Sequence, residues 1–575
     1  MNSKLLDEKD AWEGIKGFPQ NRTLYVDQFS DGNPMTSDAF EGFQARNLDN
    51  VFEHYQPVKE VELKTENGES VLEHFRFRSI DDFEDEQLIE QSELLSAEED
   101  KINTYNDIIF KIEKNKTLRN TLMDEAACSE LKNAIATLLA ELTQKNVIEN
   151  SIKQENYLLL KGIIKRVEYM DPSRVAARNI FLSDSSYADT RQKLTNELNL
   201  WASIFGKEKQ DLAAIIESCK TSRNEAELNL QSNLFLIHEE TNQLEVAYRT
   251  LDAFFANVGQ ENTEILTVMS VSHKEIQSLD SEGSLAIREE LKKQYDALSL
   301  KNSYSLFIIP GYLGDASTLR EWAEIAYKNK VLLVTDFMDC PNFMTLKDEL
   351  EDANLQGQEV FLSHVIVCCN YLLDRKKSEL ANEDDDIYIP GSGALAGRLA
   401  NTKEISIAQG VVGRDYGFLN NVKGTRLNLL KSEIAVLVAQ GVIPLQEIDG
   451  QTFALSNRSI YNGSAFSLQE YPIVRVLDWV NKVLMNYMHD IALETWDTYV
   501  SPQKLENKIR DFLDHYRGYQ LLFSNYKLAQ PKQDPITKIV TVDISITPFY
   551  SSKNLVIKLE ADNKDYMSSD LTIEQ

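Results

Sequence analysis

Apolar and charged positions alternate with a period of two on either side of the Asn-Gly step at 67–68. Val58-Lys-Glu-Val61-Glu-Leu63-Lys-Thr65 precedes it and Ser70-Val-Leu-Glu-His-Phe75-Arg-Phe77 follows it. Asn67-Gly68 tolerates the positive φ angles that a tight reversal requires, so the pattern predicts a β-hairpin with Val61, Leu63, Phe75 and Phe77 on its apolar face. Ser79-Ile-Asp-Asp82 then offers a helix cap, and the acidic residues from Asp81 to Glu90 suit the positive end of a helix dipole. Helical spacing continues through Tyr105, Ile108, Ile109 and Ile112, and again through Leu131, Ile135, Leu138, Leu139 and Leu142. Residues 1–145 therefore read as a small α+β unit, and the polar stretch at 146–156 as a linker.

Beyond the linker the period stays helical. Leu194, Leu198, Trp201, Ile204 and Phe205 make one stripe, and Leu244, Tyr248, Leu251, Phe254 and Phe255 another; core packing accounts for both, so 157–300 reads as mainly helical. From Ser305 the pattern changes to short apolar runs separated by helical stretches: Leu306–Ile309, Val331–Val334 and Val360–Asn370. Such alternation predicts an α/β core at 301–470 with a mainly parallel sheet covered on both faces. In a strand of that kind Cys368 and Cys369 point to opposite faces, so their adjacency carries no redox meaning. The last region, 471–575, opens with a helix containing Val474, Val480, Val483 and Met488, continues with one from Pro502 to about Tyr516, and returns to strands. There Val540, Val542, Ile544 and Ile546 alternate with polar neighbours, and Leu555, Ile557 and Leu559 mark a final strand.

Length and composition narrow the possible functions. The 575 residues leave room for roughly three to five domains, and 42% hydrophobic with 26% charged residues predicts a chain that folds nearly throughout. The first residues lack the basic and apolar stretches of a secretory signal and no apolar run reaches membrane length, so a cytoplasmic protein without membrane insertion is expected. Five cysteines without a CxxC pair give neither a disulfide framework nor a zinc site. With 60 Lys and Arg against 91 Asp and Glu, a net charge of −31 excludes nucleic acid as an expected partner. Any polymer of so acidic a chain must offset repulsion with specific contacts, and its assembly should depend on salt.

Candidate chemistry is thin. Ile308-Ile-Pro-Gly311-Tyr-Leu-Gly314 before a helix, with Asp336 ending the next strand, loosely fits a dinucleotide site, but it lacks the full G-x-G-x-x-G and Pro310 removes a donor; turn geometry explains the glycines as well. Pro390-Gly391-Ser-Gly393-Ala-Leu-Ala-Gly397 has no Gly-Lys-Ser/Thr ending and fits close backbone packing better than phosphate binding. His238, His273, His364 and His489 are scattered, and Glu383–Asp386 lacks the alternating ligands of a calcium loop and reads as a solvated acidic run. No catalytic residue, cofactor or metal is expected.

Two stretches resemble the sheath proteins of a divergent branch of bacterial type VI secretion systems. Val51-Phe-Glu-His-Tyr-Gln-Pro57 through Phe75-Arg-Phe77 to Asp82-Phe83 is similar to the small sheath subunit, TssB. Tyr157 to Asp562 resembles the large subunit, TssC, in Asn302-Ser-Tyr-Ser-Leu306, Ile309-Pro-Gly-Tyr-Leu-Gly314, Pro390–Gly397 and Tyr471-Pro-Ile-Val-Arg-Val476. The resemblance implies a contractile tail-sheath-like core with an N-terminal small-subunit-like domain fused to it. It also implies a helical homopolymer of six-fold rings around an Hcp-like inner tube, a baseplate contact, and recycling by a ClpV-like disaggregase. Edge strands bearing Val540, Val542, Ile544, Ile546, Leu555, Ile557 and Leu559 would complete a neighbour's sheet, although the same strands could pair within their own domain. About six added hydrogen bonds would contribute about 3–9 kcal/mol. A non-contractile paralogue acting as cap or adaptor would carry the same patterns, and a nucleotide-binding α/β enzyme is the distant alternative.

Overall fold

The computed structural model describes residues 15–30, 40–146, 152–205, 212–259, 265–492, 496, 501–550, 555–560 and 566–571. The first region supplies strands β1 (Thr23–Asp27), β2 (Phe43–Ala45), β3 (Val58–Lys64) and β4 (Ser70–Arg76), then helices α1 (Glu93–Lys114) and α2 (Glu125–Gln144). β3 and β4 form the expected hairpin, with Val61, Leu63, Phe75 and Phe77 buried. Its reversal is the five-residue loop Thr65–Glu69. Gly68 N–H donates to the Thr65 carbonyl at 2.9 Å, and Gly68 alone takes the left-handed conformation, with φ +79°. Ser79 precedes a short 3-10 turn in which its own N–H donates to Asp82 Oδ2 at 3.0 Å.

Helices α3 (Gln154–Ile163), α4 (Ala188–Phe205) and α5 (Leu212–Val258) follow. Residues 147–151 of the expected linker lie outside the described residues. At 47 residues α5 is roughly 70 Å long and serves two cores. Ile215 and Cys219 pack into a helical bundle with Ile108, Leu138, Leu160 and Trp201, whereas Leu234, Leu244, Tyr248 and Phe254 pack in the main body.

The body is a nine-stranded sheet. It adds β5 (Leu266–Ser270), β6 (Leu306–Ile308), β7 (Leu332–Asp336) and β8 (Val365–Cys369), with helices α6 (Ala316–Lys328) and α7 (Phe343–Ala353) between the strands. A side ribbon of β9 (Leu372–Arg375) and β10 (Ile387–Ile389) precedes α8 (Gly391–Ala400), and β11 (Phe418–Leu419), β12 (Ile443–Ile448) and β13 (Gln451–Ala454) finish the sheet. The order is β11-β13-β12-β8-β7-β6-β1-β5-β2, parallel from β12 to β5. Successive side chains alternate between two cores: Ile366 and Cys368 on the α5–α8 face, Val365, Val367 and Cys369 on the α6–α7 face. The doubly covered parallel sheet is thus as expected, and Cys368 and Cys369 do face opposite ways.

Three strands of this sheet fall outside the expected 301–470 core: the edge strand β2 and two interior strands. β1, from the first region, lies between β5 and β6, and β5 sits in the stretch read as helical. Both are short and buried on both faces, so neither shows the two-residue alternation that marks a half-exposed strand. The boundaries expected at 145 and 300 are therefore not boundaries of packing. The hairpin shares the α5–α8 core, β1 contributes to both faces of the sheet, and α1 and α2 share the bundle with α3 and α4.

The chain closes with α9 (Tyr471–Ile491), α10 (Pro502–Tyr516) and strands β14 (Asn525–Leu528), β15 (Lys532–Gln533), β16 (Val540–Thr541), β17 (Ile544–Thr547), β18 (Leu555–Glu560) and β19 (Tyr566–Leu571). α9 has Pro472 in its first turn; α10 begins at Pro502 and is capped by Ser501, whose Oγ accepts from Lys504 N–H at 3.2 Å.

Candidate assembly surfaces

The glycine-bearing turn after β6 is tied into the core at Gly311. Gly311 N–H donates to Asp336 Oδ2 at 3.0 Å, Thr335 Oγ1 donates to the Gly311 carbonyl at 2.8 Å, and Ser392 N–H donates to Asp336 Oδ1 at 2.9 Å. Both oxygens of the acid are thereby spent on backbone amides rather than held out for a ribose. Burial pushes the Asp336 carboxyl up to about 6, offset in part by those hydrogen bonds. Gly311 and Gly314 have φ of +82° and +97°, so turn geometry accounts for them.

The second glycine-rich stretch is helix α8, which crosses α5 at backbone contact. A Cβ at Gly393 would lie 2.4 Å from the Thr250 carbonyl oxygen, and one at Gly397 2.3 Å from that of Phe254. Only glycine lets these two helices approach so closely.

A buried ionic network ties the first region to the body. Arg249 on α5 reaches Glu84 at 3.0 Å, Glu245 at 2.7 Å and Asp374 at 2.8 Å. Arg375 on β9 engages Glu245 at 2.8 Å and Glu383 at 2.8 Å, while His238 Nε2 lies 2.7 Å from Asp85 Oδ1. The Glu383–Asp386 run is therefore not simply solvated: Glu383 is buried against Arg375, Asp385 pairs with Arg426 at 2.7 Å and Asp386 with Lys376 at 2.8 Å. The other three candidate histidines also have structural partners: His273 faces Asp27 at 3.1 Å, His364 faces Asp478 at 2.9 Å and His489 Nδ1 lies 3.1 Å from the Leu298 carbonyl.

The edges of the main sheet offer little to a neighbour, since β2 has three residues and β11 two. The C-terminal region differs. β14 pairs with β17 and β15 with β16 in one antiparallel ribbon reversing at residues 534–539, where Asp534 Oδ1 accepts from Ile536 and Thr537 N–H at 2.7 and 2.8 Å. Among the described residues each of these strands pairs on one side only. Val540, Val542, Ile544 and Ile546 are half-buried on one face and their neighbours Thr541, Asp543, Ser545 and Thr547 exposed on the other, as the alternation predicts. The apolar face looks across a groove of about 380 Å³ toward Leu477, Leu484, Tyr487 and Met488 of α9. The strand bearing Leu555, Ile557 and Leu559 pairs with β19 through its backbone. Further apolar side chains in this region face water, including Tyr519, Ile536, Ile539 and Tyr550. The groove was not legible in the sequence, because it depends on how far the ribbon stands from α9.

Three models of one family match the chain in order. The TssC/VipB-like N-terminal region matches residues 144–234, the type VI secretion system TssC/VipB central domain 236–462, and the TssC/VipB-like C-terminal domain 470–572. No curated protein matches. Among solved structures, a chain in the cryo-EM structure of the anti-feeding prophage baseplate is similar at 14% identity and a TM-score of 0.41, over 55% of this chain and 81% of that one. The sheath tail protein from Desulfitobacterium hafniense is similar at 12% identity and a TM-score of 0.29, over 54% of this chain and 64% of that one.

Proposed function

The chain belongs to the TssC/VipB family of type VI secretion system sheath proteins, and from that premise we propose how this structural sheath subunit assembles: into a helical tube of six-fold rings around an Hcp-like inner tube, anchored at a baseplate and joined through its C-terminal strands. The observation that carries this reading is the ribbon at 525–547. Among the described residues its strands are paired on one side, its apolar face is half-buried, and a groove of about 380 Å³ runs beneath it. A strand from a neighbouring copy, added at the free edge, would satisfy main-chain donors and acceptors and bring apolar side chains toward the groove. Leu555, Ile557 and Leu559 would lie in the segment offered in exchange.

In this reading residues 1–145 do the work of a separate TssB-like subunit. The position of β1 between β5 and β6 supports it, since a segment of the first region then completes the sheet of the second in fixed one-to-one ratio. Contraction would be a passage between two lattices of the same subunits, driven by the difference in contact free energy and requiring no cofactor. A ClpV-like disaggregase would return the contracted form to subunits in the bacterial cytoplasm.

Electron microscopy of the full chain with its tube protein, at low and moderate salt, tests the assembly. Hollow six-fold tubes are expected, and single closed rings under all conditions would overturn it in favour of a cap or adaptor. Ending the chain after Pro535 removes the second half of the ribbon and everything beyond it. Soluble protomers without polymers are expected, and tubes from the shortened chain would exclude these strands as the joint.

A further inference from the structure

We infer that residues 15–20 form a strap that positions the C-terminal assembly module on the body of the protein, with Gly17 and Trp479 as its positioning residues. The module has its own core, in which Trp479, Val480 and Val483 of α9 meet Leu505, Ile509 and Phe512 of α10, Phe523 beside the ribbon and Tyr526 within its strand β14. α9 anchors this core to the body through two buried cations. Arg475 donates to the Leu399 carbonyl at 3.0 Å and Lys482 to the Tyr304 carbonyl at 2.5 Å. α10 and the ribbon lie beyond these anchors.

The opposite end of the chain supplies a second attachment. Trp479 Nε1–H donates to the Phe18 carbonyl at 3.0 Å, across 461 positions of sequence. Ile15 and Phe18 pack against the module core. Gly17 passes beside the two helices: a Cβ there would lie 2.7 Å from the Tyr516 hydroxyl oxygen and 2.9 Å from the Trp479 ring, so a side chain at this position would have to displace both rings. The Trp479 and Tyr516 rings meet edge to face with centroids 4.9 Å apart, which holds α10 against α9 at the point where the strap crosses. A few residues later Asn21 Nδ2 donates to the Ala400 carbonyl at 2.9 Å, and Thr23 begins β1 in the interior of the main sheet.

The strap therefore connects α9 and α10 to an interior strand of the body by a short, fixed run of backbone. A neighbour pulling on the ribbon would load the sheet through two routes, α9 and the strap, rather than through a single helix. The inference rests on the assembly reading only for what the module engages; the contact itself is independent of it.

Hydrogen–deuterium exchange of the full-length chain tests the strap. Gly17→Val pushes a side chain into Trp479 and Tyr516, and Trp479→Phe keeps an aromatic ring while removing the hydrogen bond to Phe18. In both variants, peptides covering α10 and β14–β17 should exchange faster, by about tenfold or more for Gly17→Val and less for Trp479→Phe, while peptides covering β6–β8 keep their wild-type rates. Unchanged rates in the module would overturn the inference, and so would a uniform rise across the chain. Tube formation by the wild-type chain is read separately, so failure of the assembly reading leaves the exchange result standing.

Discussion

The main sheet and the C-terminal ribbon are both made of strands whose apolar residues are legible one by one, yet they are finished differently. The sheet has both faces filled and ends in strands of three and two residues. The ribbon has one face half covered, a groove of about 380 Å³ beside it, and strands that among the described residues pair on one side only. In the proposed assembly the contrast separates two tasks: the sheet would give the subunit its stability, and the ribbon would keep back contacts for a lattice to supply. Substitutions should therefore divide into those that unfold the protomer and those that leave it folded but unable to assemble.

The largest effect is expected where helices α5 and α8 touch. Gly397→Val must displace the Phe254 carbonyl, 2.3 Å from the new Cβ, and neither helix backbone can yield locally. A loss of about 3 kcal/mol or more is expected in urea denaturation, with little folded protein recovered. Glu245→Ala should rank beside it. Its carboxylate is fully buried and holds both Arg249 and Arg375, so removing it leaves two guanidiniums short of a partner, at a cost of about 3–5 kcal/mol. Either variant retaining wild-type stability would mean that the body does not carry the subunit.

How much of this was legible in the sequence follows from the kind of burial each element has. The β3–β4 hairpin, α10 and the alternation of Val540, Val542, Ile544 and Ile546 were legible, because a half-exposed strand or an amphipathic helix writes its period into the chain. β1 and β5 were not, because a strand buried on both faces inside a parallel sheet has no polar alternation; Leu24-Tyr25-Val26 and Leu266-Thr-Val-Met269 look like any short apolar run. The ionic network was illegible for another reason: Glu84, Asp85, His238, Glu245, Asp374 and Glu383 come together only through the fold, and alone each reads as a surface charge. The same holds for Asp336, whose place at a strand end beside glycines suggested a nucleotide site. Millimolar NAD or ATP should leave the melting temperature unchanged, since both carboxylate oxygens are already engaged.

A smaller effect distinguishes the anchors of the module from the module itself. Burial holds Lys482 down at about 8 from the usual 10.5. The unfolded chain then binds the proton more tightly than the folded one, so the cost of burying the charge is full below pH 8. It is relieved as pH rises from 8 to about 10.5, a gain of about 3 kcal/mol. Lys482→Met lacks this proton. The stability of the wild-type chain relative to that variant should rise across this window in urea denaturation, and a flat difference would show that the lysine is not buried as a cation.

The smallest expected effect on the protomer is the most informative about the ribbon. Ile536 stands in its reversal with 87% of its surface exposed, so the folded subunit gains almost nothing from its side chain, while its N–H is already held by Asp534. Ile536→Ser should change protomer stability by less than about 0.5 kcal/mol. If a neighbour covers this turn in the tube, the same substitution forfeits about 1.5–3 kcal/mol per contact, and the concentration needed for polymerisation should rise by roughly tenfold or more in sedimentation assays. An unchanged threshold would place the reversal on the outside of the lattice and confine the joint to the strand edges and the groove beneath them.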